Sequence, residues 1–140
     1  MKIGVIVLSH GNFAQQMVET AFAIVGKKEG VEGVSVGGEV SLDSVCEKVR
    51  QKISQMNMDY VVILTDMVGG TPCNSSLMLC ANNKNIYVVS GVNLYMLITA
   101  INNRDNASSI EEYVEKLISS GKNSIVDVKE KFVKKLNSIK

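Results

Sequence analysis

An α/β fold is predicted for this chain: a doubly wound, mainly parallel four-stranded sheet in the order 2-1-3-4, with helices on both faces and a short fifth strand at one edge. Three observations predict it. Apolar runs too short for helices and rich in β-branched residues recur along the chain, as strands buried on both faces do. Each run gives way to a stretch whose apolar residues return at helical spacing. The junctions carry glycine beside a helix-capping residue, and strands that alternate with helices pair in parallel through right-handed crossovers.

The first strand, Ile3-Gly4-Val5-Ile6-Val7-Leu8-Ser9, stops at His10-Gly11. Asn12 offers an N-cap with Gln15 three positions on, and Phe13, Met17, Ala21, Ile24 and Val25 mark a helix that ends at Gly26. Gly33-Val34-Ser35-Val36 alternates as a short strand, and Gly37-Gly38-Glu39 turns the chain. From Ser41 as cap, Leu42, Val45, Val49, Ile53 and Met56 draw one stripe opposite Asp43, Glu47, Lys48, Arg50 and Lys52, which is the pattern of a solvated amphipathic helix. The third strand, Tyr60–Thr65, leads into Asp66-Met67-Val68-Gly69-Gly70-Thr71-Pro72, where Thr71 before Pro72 has the cap-then-proline order that opens a helix, continued by residues 74–81. Ile86–Ser90 reads as the fourth strand, and Asn93 caps a helix carrying Leu94, Leu97, Ile98 and Ile101. Ser108 with Glu111, or Ser109 with Glu112, supplies a capping box for a helix through Tyr113, Val114, Leu117 and Ile118, closed by Gly121. Residues 124–128 read as the fifth strand. Residues 129–140 are a lysine-rich helix or tail, which puts the domain at 1–128.

With 140 residues, 46% of them apolar, the chain has the size and composition of one domain with its own core. The net charge of +1 gives no broad footprint for nucleic acid or for an anionic membrane, so partners must be argued from local sites. No run is long enough for a signal-peptide core or a membrane span, and a cytoplasmic protein is expected. Cys46, Cys73 and Cys80 are odd in number and lack metal-ligand spacing; they read as reduced thiols.

His10 is the only histidine, and it stands at the carboxyl end of the first strand, where ligands bind in open α/β sheets. Alone it would read as a packing or hydrogen-bonded histidine at a turn. In the order 2-1-3-4 the first and third strands adjoin, so the loops at His10 and Asp66 become neighbours. Helix starts near Asn12, Thr71 and Asn93 then turn unpaired N–H groups toward one crevice, a setting that suits a phosphoryl group. Gly69 and Gly70 allow close backbone approach, with Gly11 in the same crevice, and the Thr71 hydroxyl adds a donor. A neutral histidine is a competent nucleophile toward phosphorus when one nitrogen is unprotonated, and Asp66, accepting from the other, would hold that tautomer and stabilise the cation that forms.

Ser9-His10-Gly11, the run from Asp66 to Asn74 through Gly69-Gly70-Thr71-Pro72-Cys73, and Gly91-Val92-Asn93-Leu94 resemble the mannose-family enzyme IIA of the bacterial phosphoenolpyruvate sugar phosphotransferase system. The resemblance runs to about Val128. It implies that His10 receives phosphate from the phosphocarrier HPr and passes it to a histidine of enzyme IIB, with Asp66 orienting His10, and Thr71 and nearby loop amides binding the phosphate. It further implies membrane components IIC and IID as indirect partners, and a homodimer in which residues 124–128 form an edge strand antiparallel to the rest and exchanged between subunits. No cofactor or metal is implied. Val68 and Tyr95 stand where many relatives have a bulky or aromatic residue and a proline; neither difference is chemical, so they bear on the partner surface and the sugar system and not on the transfer. Two other readings stand beside this one. One is a regulatory module of the same fold that uses His10 phosphorylation only to change partners. The other is a hydrolase built on Cys73 or Ser9 with His10 as base.

Overall fold

The computed structural model describes residues 1–38 and 40–139; Glu39 of the expected turn and Lys140 lie outside the described residues. In chain order the elements are β1 (Ile3–His10), α1 (Phe13–Val25), β2 (Val31–Val36), α2 (Leu42–Met56), β3 (Tyr60–Thr65), α3 (Gly70–Ala81), β4 (Ile86–Ser90), α4 (Leu94–Asn103), a 3-10 turn (Arg104–Asn106), α5 (Ile110–Asn123) and α6 (Val128–Ile139). The four strands form one parallel sheet in the expected order β2-β1-β3-β4.

β1 lies at the centre because every residue from Ile3 to Ser9 is buried, which only a strand covered on both faces achieves. Alternation along it divides the core. Ile3, Val5 and Val7 face α1, α4 and α5 with Met17, Leu97 and Leu117, whereas Ile6 and Leu8 face α2 and α3 with Val45, Val49 and Leu79. β2 begins at Val31, earlier than the alternation from Gly33 suggested, because buried Val31 pairs with Val5 and extends the edge of the sheet.

Ser41, Asn93 and Ser109 cap as their sequences predict, each side chain accepting from the N–H three residues on: Ser44 at 3.2 Å, Met96 at 2.9 Å and Glu112 at 3.1 Å. Asn12 does not cap through its side chain. The buried Ser9 hydroxyl does that work, accepting from the Ala14 N–H at 2.6 Å and donating to the His10 carbonyl at 3.1 Å. α3 also differs from expectation. It starts at Gly70 with Gly69 as cap residue, which places Thr71 inside the first turn rather than at the cap.

The largest correction concerns residues 124–128, which form no strand. Gly121 does not close α5; it is buried within the helix, where a Cβ would stand 2.7 Å from Met96 Cε, so glycine there permits close packing of α5 on α4. The helix therefore runs on to Asn123, and after a short turn the Asp127 carboxylate accepts from the Glu130 N–H at 3.0 Å and starts α6. An exchanged fifth strand has no counterpart in this conformation.

Candidate functional site

β1 and β3 are neighbours in register, with Leu8 opposite Thr65, so the next residues along each strand bring His10 and Asp66 to one edge of the sheet. One Asp66 oxygen, Oδ2, lies 2.8 Å from His10 Nδ1 and accepts the His10 backbone N–H at 3.0 Å. The other, Oδ1, accepts the Met67 N–H at 3.0 Å. The carboxylate is thus locked from both sides and is only 15% exposed, against 50% for the imidazole. Burial pushes the Asp66 carboxyl up, but hydrogen bonds from the His10 ring and backbone, the His10 charge and the Met67 N–H outweigh it and hold the group below the ordinary carboxylate value. An ionised carboxylate only accepts, so Nδ1 carries a proton, and in the neutral ring the lone pair falls on Nε2.

Nε2 points over Gly70. A Cβ built there would stand 2.9 Å from Nε2 and 3.0 Å from Cε1, and Gly70 has φ of +78°, so a side chain at this position is disfavoured on two separate grounds. Gly69 turns the chain with φ of +85° just before it. The first-turn N–H groups of an α-helix have no intrahelical acceptor, and α3 opens with Gly70, which lies against the ring, and Thr71, while Pro72 has no N–H to leave unpaired. An anion held beside Nε2 would meet the start of α3. Gly11 is placed differently: its N–H donates to the Val36 carbonyl at 3.2 Å and is not free for a ligand. Thr71 is partly buried in the first turn of α3, its carbonyl accepting the Ser75 hydroxyl at 2.7 Å.

Neither residue required by the hydrolase reading is presented to a substrate. Ser9 is fully buried, its hydroxyl committed to Ala14 and His10, and Cys73 is 6% exposed. Around His10 the surface is apolar instead. Met67, Val68, Phe13 and Tyr95 are all exposed, and they lie in the Asp66 loop or open α1 and α4, the helices that begin on the same edge of the sheet. A shallow groove lined by Phe13, Gln16, Met17, Thr20 and Leu94 continues this rim.

Residues 4–118 match the family model described as PTS system fructose IIA component. The chain belongs to this family. It is therefore a IIA component of a sugar phosphotransferase system, of the mannose, fructose and sorbose type. It is 26% identical over 136 residues to the mannose-specific EIIAB component of Escherichia coli, covering 96% of this chain and 42% of that protein, so the chain spans less than half the length of that relative. Among solved structures, EIIA from Streptococcus agalactiae superposes with a TM-score of 0.84 at 31% identity, over 91% of this chain and 98% of the other. The mannose/sorbose-specific IIA subunit from Enterococcus faecalis gives 0.81 at 28% identity, over 91% and 95%. Their fold is this fold. Among the described residues no helix is long and apolar enough to cross a membrane, and no group of histidine, cysteine and carboxylate side chains is arranged to hold a metal ion.

Proposed function

We propose that this IIA component takes a phosphoryl group from phospho-HPr onto His10 Nε2 and passes it to enzyme IIB, which feeds the membrane components IIC and IID. The observation that carries this is the Nδ1 contact with Asp66 at 2.8 Å, which in the neutral ring puts the proton on Nδ1 and the lone pair on Nε2, over Gly70. In the step, the Nε2 lone pair forms a bond to phosphorus as the bond from phosphorus to the donor breaks. Asp66 opposes the positive charge that grows on the ring. Gly70 and Thr71 amides at the start of α3 receive the phosphoryl oxygens, with about half a positive charge from the helix behind them. The Thr71 hydroxyl and Gly69 complete the cradle, and Gly11 serves by shaping the turn after His10. The exposed rim of Phe13, Met67, Val68 and Tyr95 gives HPr and IIB an apolar surface to cover while the phosphoryl group passes.

Incubation with phosphoenolpyruvate, enzyme I and HPr should add one acid-labile phosphate, seen by mass spectrometry and absent from His10→Ala. Phosphate retained in that variant overturns the proposal. A homodimer belongs to the same reading, and light scattering of the full chain checks it; a monomer at micromolar concentration overturns that part.

A further inference from the structure

The net charge of +1 conceals a segregation. α6 alone holds Lys129, Lys131, Lys134 and Lys135 against the single acid Glu130, so the rest of the chain is net negative. Every residue from 125 to 139 is exposed, and none of α6 is buried. Val128, Phe132, Leu136 and Ile139 recur at spacings of four and three and draw one apolar stripe, 69%, 57%, 45% and 75% exposed. Exposed Ile125 and Val126 precede it. Lys131 and Lys135 flank the stripe and Lys134 lies opposite; Lys129 falls at its margin, where a four-carbon stem can lie along apolar surface with the ammonium turned outward. Among the described residues only Lys134 of the four is paired, with Glu130 at 2.6 Å.

We infer that α6 is an interfacial helix that lies on an anionic lipid surface. The charge selects this occupant. A second α6 laid against the stripe would bring like charge against like, which disfavours self-pairing. All four cations are lysines, compact charges on flexible stems without the fixed fork by which arginine reads a carboxylate on a protein. What α6 offers is diffuse positive charge around an apolar stripe, the chemistry that anionic headgroups and the acyl boundary beneath them complement. Its 12 residues reach about 18 Å, enough to lie in the interface and too few to cross it. α6 also leaves the domain on a chosen side. Asn93, just beyond the carboxyl end of β4, donates from Nδ2 to the Gly121 carbonyl at 3.0 Å, so α5 ends and α6 begins on the edge of the sheet that carries His10. The inference is independent of the chemistry proposed for His10.

Co-sedimentation of the full chain with vesicles tests it. The chain should sediment with phosphatidylglycerol-containing vesicles at low salt, and should not do so with pure phosphatidylcholine or at high salt. Phe132→Ser with Leu136→Ser should abolish the binding, and Lys131→Gln with Lys135→Gln should weaken it by about fivefold per lysine. Circular dichroism on each variant shows that the domain is intact. No sedimentation with anionic vesicles overturns the inference, as does binding unchanged in both variants. If the serine variant instead dissolves a dimer while wild type ignores the vesicles, the stripe belongs to a second copy and the lipid assignment is wrong.

Discussion

Asp66 performs two tasks at once, fixing the His10 ring through Nδ1 and the His10 backbone through its N–H, and the two can be separated by substitution. Asp66→Asn keeps the size and removes the charge, and its amide NH2 can hold the opposite tautomer. Phosphorylation by phospho-HPr should then slow by about a hundredfold or more, as with other orienting carboxylates, while circular dichroism stays native. Unchanged rates would show that the contact does not govern transfer. The same carboxylate gives a pH signature. Its folded value lies below its unfolded one, so its contribution to stability is present above the ordinary carboxylate range and is lost as pH falls through the depressed folded value. Urea denaturation should therefore show a gap between wild type and Asp66→Asn at neutral pH that closes below about pH 4. Gly70→Ala tests the other side of the ring. The left-handed φ costs a non-glycine residue about 1–2 kcal/mol, and the new Cβ would displace Nε2 from the start of α3, so transfer should fall further than stability does.

At the scale of elements, the start of α1 is held by a residue from the preceding strand. Ser9 was legible in the sequence as the residue before His10, but its partner, Ala14, lies five positions on and is brought over it only by the turn at Gly11. Capping by spacing looks three residues ahead, which is why Asn12 and Gln15 were favoured. Ser9→Ala should cost about 1–2 kcal/mol in the denaturation midpoint, the usual worth of a cap with a buried acceptor, and should leave one phosphate on His10. A loss of phosphorylation with stability intact would mean that Ser9 acts on the chemistry instead. α3 shows the converse. A threonine before a proline is a strong local signal, yet consecutive glycines with positive φ start the helix sooner, and the His10 ring occupies the space that any side chain at position 70 would need.

Across the whole molecule, α6 stands outside the cooperative core. Nothing in it is buried, so Phe132→Ser with Leu136→Ser should leave the thermal midpoint unchanged, equivalent to within about 0.5 kcal/mol; a larger loss would place the stripe against the domain. By contrast, Leu97 and Leu117 are fully buried between the sheet and the helices on one face, where truncation to alanine typically costs about 2–5 kcal/mol. The alternation of apolar runs with helical stripes determined, from sequence alone, a parallel sheet covered on both faces and the strand ends at which His10 and Asp66 stand; that the two meet rested on taking the doubly wound order 2-1-3-4. Those features follow from local periodicity and the handedness of crossovers, and every strand here obeys both. Only the tertiary structure decided the rest. Whether Gly121 ends a helix or sits inside one depends on how closely Met96 approaches it. The apolar residues of 124–128 suit a strand or a helix equally, and the continuation of α5 to Asn123, with Asp127 capping the next turn, selected helix. The contact that orients the His10 ring likewise depended on a carboxylate 56 residues away in the chain, because a distance of 2.8 Å is set by the register of two strands and not by any spacing within one.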